Sequence, residues 1–235
     1  GFMTTALSTN ILSNDFKQFE DPAEETGLYL ANVSREQEMK LRYNYTQFVN
    51  DWTISSGAVI QNADYSNDTE DLVNNFQFDN SLNFWRYGLF SQASRSFLNE
   101  RLCVSAGFRV DGNSFTDKGN DLLRTFSPRF SLSYQLDNKG NWTANASVGR
   151  YYKIPPYTIL GFTNNDGVFA NQNAEYIQSD HLVLGIEHLL TPTTRVTLEG
   201  FYKKYDNYPV SLTDSVSLAN LGGDFSVLGN EPIES

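Results

Sequence analysis

Residues 125–151 read TFSPRFSLSYQLDNKGNWTANASVGRY, two arms of alternating polarity around the short stretch 137–140. Successive side chains of a β-strand point to opposite faces, so each arm has one apolar face and one polar face. Asp, Asn and Gly at the junction are typical of a hairpin turn. Each arm reaches the roughly ten residues that a tilted strand needs to cross a bilayer. We interpret the stretch as a hairpin whose apolar face contacts lipid and whose polar face contacts a watery lumen.

The same alternation recurs along the chain and predicts an all-β fold. Predicted strands cover 38–48, 52–61, 82–97, 101–111, 125–136, 141–151, 181–189 and 194–205. Tight turns near 50, 99, 138 and 192 alternate with longer segments at 62–81, 112–124 and 152–180. Short turns on one side and long loops on the other are typical of outer-membrane barrels. We therefore predict a segment of an antiparallel transmembrane β-barrel with about eight up-and-down strands.

The remaining segments are polar and acidic, and we expect them to be irregular. Residues 1–37 are predicted as a surface loop, with a possible strand fragment at 1–9, and residues 62–81 as a second acidic loop. Residues 206–235 are expected to end without a strand. Within the strands, Arg95 shares the apolar parity, which an interfacial position or a bulge would explain. Pro128 should lie near a strand end, because proline cannot donate to a ladder.

Composition excludes several classes of protein. The 235 residues carry 17 basic and 28 acidic side chains, a net charge of -11, which argues against a nucleic-acid partner. The single cysteine, Cys103, excludes an internal disulfide and a cysteine-based zinc site. No stretch has the roughly 18 continuous apolar residues of a membrane helix. The chain opens without a signal peptide, so we expect an internal piece of a longer exported precursor.

Several stretches resemble TonB-dependent outer-membrane receptors of the Bacteroidetes type, in the C-terminal part of the barrel. They are GFRVDGNSF (107–115), LRTFSPRFSLSYQL (123–136), ASVGRYYKIPPY (146–157), NAEYIQSDHLVLGIEHLLTP (173–192) and EGFYKKYDNYPVS (199–211). Family members often carry a proline-rich motif before the penultimate hairpin. Here Ala174 follows Asn173, and Gln178 and Ser179 stand where the family has Pro and Glu.

The resemblance implies a barrel of about 22 strands that encloses a plug. Residues 1–235 would then be part of one barrel domain in the bacterial outer membrane, without the plug and the remaining strands. The implied function is active import of a scarce nutrient, namely a metal chelate, cobalamin or an oligosaccharide. The implied partners are membrane lipid, the rest of the barrel and plug, the TonB complex and the substrate, and no cofactor is implied.

No catalytic or metal site is predicted. His181 adjoins Ser179 and Asp180, but three neighbouring residues do not form a triad, which is assembled in space. Glu187 and Glu199 could face each other across the last hairpin, although a salt-bridged lumen wall with Arg195 explains them better. The acidic runs 20–25 and 64–71 lack the regular ligand spacing of a calcium loop. We conclude that the protein is not an enzyme.

Two groups of aromatic residues are candidate contacts. Tyr151, Tyr152, Tyr157 and Phe162 surround a Pro-Pro pair on a predicted external loop. They could stack on a sugar or a chelate, or form an upper aromatic girdle and pack loops together. Trp52 and Trp142 each follow a tight turn, which suits the membrane interface.

Two alternatives to the large receptor remain open. A self-contained eight-stranded barrel, acting as a structural protein or adhesin, would pair the strand at 38–48 with the strand at 194–205. A soluble sheet would also alternate, but its apolar face would be covered. Burial of Val104, Phe130, Leu132 and Leu184 beneath a second protein layer would therefore contradict the membrane interpretation.

Overall fold

The computed structural model describes residues 1–73, 75–164, 166–213, 215–220 and 232–235. It contains a nine-stranded antiparallel sheet in which the strands follow chain order, from β1 to β9. The strands are β1 (Phe2–Asp21), β2 (Thr26–Val49), β3 (Trp52–Asp71), β4 (Phe76–Phe97), β5 (Leu102–Asn113), β6 (Ser127–Gln135), β7 (Trp142–Lys153), β8 (Ile177–Thr191) and β9 (Thr194–Asp206). The predicted up-and-down, all-β fold is confirmed.

The predictions of loops at 1–37 and 62–81 were wrong. β1 and β2 pair from Phe2 to Asp21, and β3 continues to Asp71 before β4 begins at Phe76. On the inner face of this extension the Asn32 amide donates hydrogen bonds to Asn67 Oδ1 (2.6 Å) and Thr69 Oγ1 (2.7 Å). Polar side chains occupy both faces there, so no alternation of polarity reveals the strands.

The second half of the sheet agrees closely with the predicted strands, and its loops carry short elements. A 3₁₀ turn lies at Leu122–Thr125, and one helical turn, α1, covers Tyr157–Leu160 between β7 and β8. The expectation that 206–235 contains no strand was wrong, because β10 (Val210–Ser211) pairs with β11 (Ile233–Glu234). Within the described ranges, no helix has the length and apolar character needed to cross a bilayer.

No second layer covers the apolar face of the sheet within the part of the chain that the structure describes. Phe130 is 42% exposed and Leu184 is 56% exposed. Val104 and Leu132 are half-buried and are direct partners in the β5–β6 ladder. Burial beneath a covering layer, which would have contradicted the membrane interpretation, is therefore not observed for these four residues.

The two residues that conflicted with the pattern have local explanations. β4 keeps its register against β3 and β5, so Arg95 stays on the apolar face, opposite Trp52 and Val104. Its guanidinium lies 2.7 Å from Asp51 Oδ2, in the tight turn, and 4.9 Å from the Phe97 ring centre. Pro128 is the second residue of β6, at a strand end.

The core lies on the inner face of the long strands. Ile159 and Leu160 of α1 are 1% and 0% exposed, and they belong to one buried cluster with residues of β3 and β4. The other buried members are Ala63, Tyr65, Leu82, Phe84, Ile154, Tyr157, Ala174, Leu218 and Ile233. The connection between β7 and β8, which we predicted as an external loop, therefore packs against the inner wall.

Candidate functional site

Tyr157 fixes the β7–β8 loop to the wall. Its ring packs edge-on against Phe84, with centres 5.4 Å apart, and against Tyr65 at 6.0 Å. Its hydroxyl accepts a hydrogen bond from Arg86 Nη1 (2.8 Å) and donates one to Glu38 Oε1 (3.0 Å). Burial raises the pKa of the Tyr157 hydroxyl, which keeps it a neutral donor.

A second contact joins the same loop to the β5–β6 connection. Glu175 Oε1 accepts hydrogen bonds from Lys118 Nζ (3.1 Å) and Arg124 Nη1 (2.8 Å). The hydrogen bond from Lys118 is the main reason that the pKa of Glu175 lies below its ordinary value. Since the carboxylate stays ionised, the contact persists at neutral pH.

The structure does not gather the four aromatic residues that the sequence singled out. Tyr151 and Tyr152 project to opposite faces of β7, and the Tyr152 hydroxyl donates to Gln178 Oε1 at 2.9 Å. Tyr157 is 7% exposed, and Phe162 stacks on Phe78 with ring centres 5.8 Å apart. Of the four, Tyr151 faces the lumen, while Tyr157 and Phe162 hold the loop. Their predicted role in ligand binding stays a prediction.

Tyr151 borders a hollow of about 410 Å³ on the inner face. The ring centres of Tyr151 and His181 are 4.7 Å apart, and Ser179 Oγ lies 2.6 Å from His181 Nε2. Tyr205 and Tyr208 complete the aromatic side of the hollow. We missed these two residues, although Tyr205 has inward parity and lies opposite Ser179 in the ladder. Such a surface can stack on flat or hydroxylated ligands.

The geometry supports the prediction that Ser179, Asp180 and His181 do not form a triad. Asp180 lies on the other face of β8 and accepts a hydrogen bond from Arg150 Nε at 2.7 Å. It therefore cannot orient His181, as the third member of a triad must.

The carboxylates of the last hairpin form part of the lumen wall. Glu199 lies opposite Gly185, so it does not face Glu187 directly across the ladder. Glu187 lies 3.6 Å from Arg195 Nη1, which confirms the salt-bridged interpretation of this pair. Among the residues that the structure describes, no three His, Cys, Asp or Glu side chains are placed to share a metal ion.

The two tryptophans lie beside the tight turns at one end of the sheet. Trp52 packs edge-on against Phe97 with ring centres 6.4 Å apart, and it is 37% exposed. Trp142 stacks on His188, its ladder partner, at 3.8 Å. Both indoles therefore lie on the apolar face of the sheet, next to its short connections.

Comparison with known proteins places this geometry in a family. The family profile described as "TonB dependent receptor-like, beta-barrel" matches residues 4–231. No curated protein matches the chain. Three solved structures share the fold: the copper transporter OprC (14% identity, TM-score 0.64, 88% of this chain), the ferric enterobactin receptor PfeA of Pseudomonas aeruginosa (17%, 0.61, 87%) and the outer membrane transporter YddB of Escherichia coli (12%, 0.57, 89%).

The chain spans about a third of those structures, 36%, 32% and 32% of their respective lengths. At these identities the likeness shows the shared fold, and the family profile, which covers nearly all of the chain, shows the membership. Proteins of this family are transporters rather than enzymes. The chain belongs to the TonB-dependent receptor β-barrel family and forms part of an outer-membrane barrel.

Proposed function

We propose that this chain is part of a receptor that binds a scarce nutrient and imports it across the outer membrane with TonB-coupled energy. The observation that carries the proposal is the open wall: β1 and β9 each have one partner strand in the described sheet. A transmembrane sheet must close, because lipid cannot satisfy the backbone groups of an edge. Further strands are therefore needed on both sides of this one.

The pairing argues against the small self-contained barrel. β2, which contains residues 38–48, is flanked by β1 and β3, so it does not pair with β9 at 194–205. Within the described residues, no ladder joins β1 to β9. We infer that residues 1–235 are part of a single barrel domain of about 22 strands whose plug and other strands lie elsewhere in the receptor. We also propose that these residues lie in the C-terminal part of the barrel and that the receptor is of the Bacteroidetes type.

We further propose that the aromatic hollow contributes to nutrient binding. The Tyr151 ring borders it and would contact the ligand, whereas Tyr152, on the other face of β7, would act with Tyr157 and Phe162 by holding the strand and loop beside it. A metal chelate, cobalamin or an oligosaccharide each offers a flat or hydroxylated surface on which aromatic rings stack. Trp52 and Trp142 would lie at the periplasmic interface and contact lipid headgroups.

The test uses the full-length receptor in cells. Uptake of a ferric chelate, cobalamin and an oligosaccharide would be measured in strains that carry or lack the receptor, with and without TonB. We expect uptake of one class to require both proteins. Uptake that is unchanged when either protein is removed, for all three classes, would refute the proposed function.

The ligand role has its own variants. The variant Tyr151→Ala should weaken binding of the imported nutrient by about fivefold, since a stacked aromatic contact contributes about 1 kcal/mol. Tyr202→Ala serves as the matched control, because Tyr202 is 65% exposed on the apolar face. Equal affinity of Tyr151→Ala and the control would contradict the ligand role.

A further inference from the structure

Two arginines lie on the apolar face of the sheet, at the end that carries the tight turns. Arg95 stands opposite Trp52 and Val104, two residues before β4 ends at Phe97. Arg101 directly precedes β5. A strand rises by about 3.3 Å per residue, so Arg95 lies only about 7 Å from the end of its strand. Arginine side chains near the end of a membrane span extend into the headgroup layer, and both guanidinium groups are therefore within reach of lipid headgroups.

Aromatic rings hold both guanidinium groups on this face. The guanidinium carbon of Arg95 lies 4.9 Å from the centre of the Phe97 ring and 5.7 Å from that of Trp52. The guanidinium carbon of Arg101 lies 5.6 Å from the centre of the Tyr134 ring. Contacts with ring faces orient a cation without cancelling its charge. Because these rings lie on the apolar face, the two cations face the membrane and not the lumen.

The positive charge at this place exceeds the negative charge. Asp51 Oδ2 lies 2.7 Å from Arg95 Nη2, and the Asp51 side chain is 68% exposed. Arg101 instead donates to two neutral oxygens, Asn138 Oδ1 and the carbonyl oxygen of Gln135, each at 3.0 Å. Across the described ranges, no carboxylate lies within 4.0 Å of Arg101. Two cations therefore share one acid.

The other end of the same face is balanced. Arg150 Nε lies 2.7 Å from Asp180 Oδ1, and Lys204 Nζ lies 2.8 Å from Asp206 Oδ2. Arg150, Asp180 and Lys204 are ladder partners on neighbouring strands, so each cation there has an acid beside it. A cation that faces lipid without such a partner is costly unless the membrane itself supplies the anion. The end with the tight turns lacks the second acid that would complete it.

We propose that Arg95 and Arg101 bind the phosphate of an anionic phospholipid. A guanidinium fork matches the oxygens of a phosphate group, and basic residues beside a membrane attract anionic lipid. The acyl chains of the same lipid would lie along the apolar face of β4 and β5. That this lipid belongs to the periplasmic leaflet rests on the proposed function. Its binding requires only that the apolar face contacts lipid.

The test measures lipid binding to the purified full-length receptor by native mass spectrometry, in micelles that contain phosphatidylglycerol and phosphatidylcholine. The variant Arg95→Gln/Arg101→Gln removes both cations. The control Lys40→Gln/Arg42→Gln changes the net charge equally, at two positions that border a hollow on the inner face. We expect wild type and control to prefer phosphatidylglycerol, and Arg95→Gln/Arg101→Gln to bind it about tenfold more weakly. Heat-modifiable gel mobility would confirm that each variant forms a barrel.

A variant with the opposite expected effect guards against damage to the fold. Asp51→Asn removes the acid that competes with the phosphate for Arg95. It should therefore raise the affinity for phosphatidylglycerol by about twofold or more, a gain that a damaged barrel would not produce. An unchanged or lower affinity of Asp51→Asn would overturn the proposal.

Two further results would overturn it. One is equal affinity of Arg95→Gln/Arg101→Gln and the control for phosphatidylglycerol. The other is displacement of the lipid by soluble glycerol 3-phosphate at equal concentration, which would mean that the arginines bind free phosphate groups and not lipid. The uptake experiment separates this inference from the proposed function. Phosphatidylglycerol binding without TonB-dependent uptake would refute the function alone, and uptake without this binding would refute the lipid site alone.

Discussion

The first four strands and the last five differ in length and in how they are connected. β1 to β4 have 20, 24, 20 and 22 residues, whereas β5 to β9 have 12, 9, 12, 15 and 13. The long strands are joined by short turns at both ends, and the short strands by long loops at one end. The long strands and the connections between the short strands therefore have different roles. The long strands supply an extended inner wall, and the loop after β7 supplies the apolar residues that cover it.

The largest expected effect comes from removing the centre of that covering. Leu160→Ala should destabilise the packed loop by about 2–5 kcal/mol, since Leu160 is completely buried between α1 and the long strands. Hydrogen exchange of the amides of residues 157–176 in the full-length receptor would measure the loss. Leu123→Ala is the control, because Leu123 is 79% exposed. Similar exchange in both variants would mean that the loop does not depend on the long strands.

The next prediction concerns the short strands, where lipid and water lie on opposite faces. Leu132→Arg should cost about 2–4 kcal/mol of unfolding free energy in lipid vesicles, the range for Arg on the lipid face near the bilayer midplane. Ser131→Arg, one residue away in β6, points into the lumen hollow bordered by Ser105 and Ser147 and should cost about 0.5 kcal/mol or less. A larger cost for Ser131→Arg than for Leu132→Arg would mean that lipid contacts the face that we assign to the lumen.

A smaller effect is expected at the polar contact between loop and wall. Tyr157→Phe removes the hydroxyl shared by Arg86 and Glu38, at a cost of about 1–3 kcal/mol. Arg86 and Glu38 would remain 3.5 Å apart and retain part of the interaction. Tyr202→Phe, on the apolar face, should change the unfolding free energy far less. A Tyr157→Phe receptor as stable as Tyr202→Phe would show that packing alone fixes the loop.

The smallest effect depends on pH. The pKa of Glu175 lies below its ordinary 4.5, chiefly because of the hydrogen bond from Lys118. Its contribution to loop stability is therefore complete above pH 4.5 and is lost as the pH falls through the lower, folded value. The partly exposed contact should be worth about 1 kcal/mol or less. Hydrogen exchange should show that the wild-type loop loses this stability between pH 6 and pH 3, whereas the loop of Glu175→Gln does not. Parallel pH profiles of wild type and Glu175→Gln would contradict the contribution of Glu175 to loop stability.

The short strands could be predicted from the sequence because their two faces meet different solvents. Phe130 and Leu132 alternate with Arg129, Ser131 and Ser133, and both arms of that hairpin were located to within about two residues of β6 and β7. The extensions of β2 and β3 could not be predicted in this way. Their inner face holds Asn32, Asn67 and Thr69, hydrogen-bonded to one another and buried.

To predict the candidate sites, one needs the order of the strands in the sheet as well as the face to which each side chain points. The inward direction of Tyr151, His181 and Tyr205 follows from alternation alone. Their grouping does not, because it depends on which strands are neighbours. The position of Tyr157 is the extreme case, since its hydroxyl bonds Glu38, 119 residues earlier in the chain. No local sequence pattern predicts that contact.

The most direct test measures which face of the wall meets lipid. In full-length receptor carrying Cys103→Ser and reconstituted into vesicles, spin labels would be placed one at a time at positions 129–134. Accessibility to oxygen, which concentrates in lipid, and to a water-soluble nickel complex would be compared at each position. We expect oxygen to dominate at 130, 132 and 134, and nickel at 129, 131 and 133. A profile without this two-residue period, or one of opposite phase, would contradict a single-layered wall between lipid and lumen.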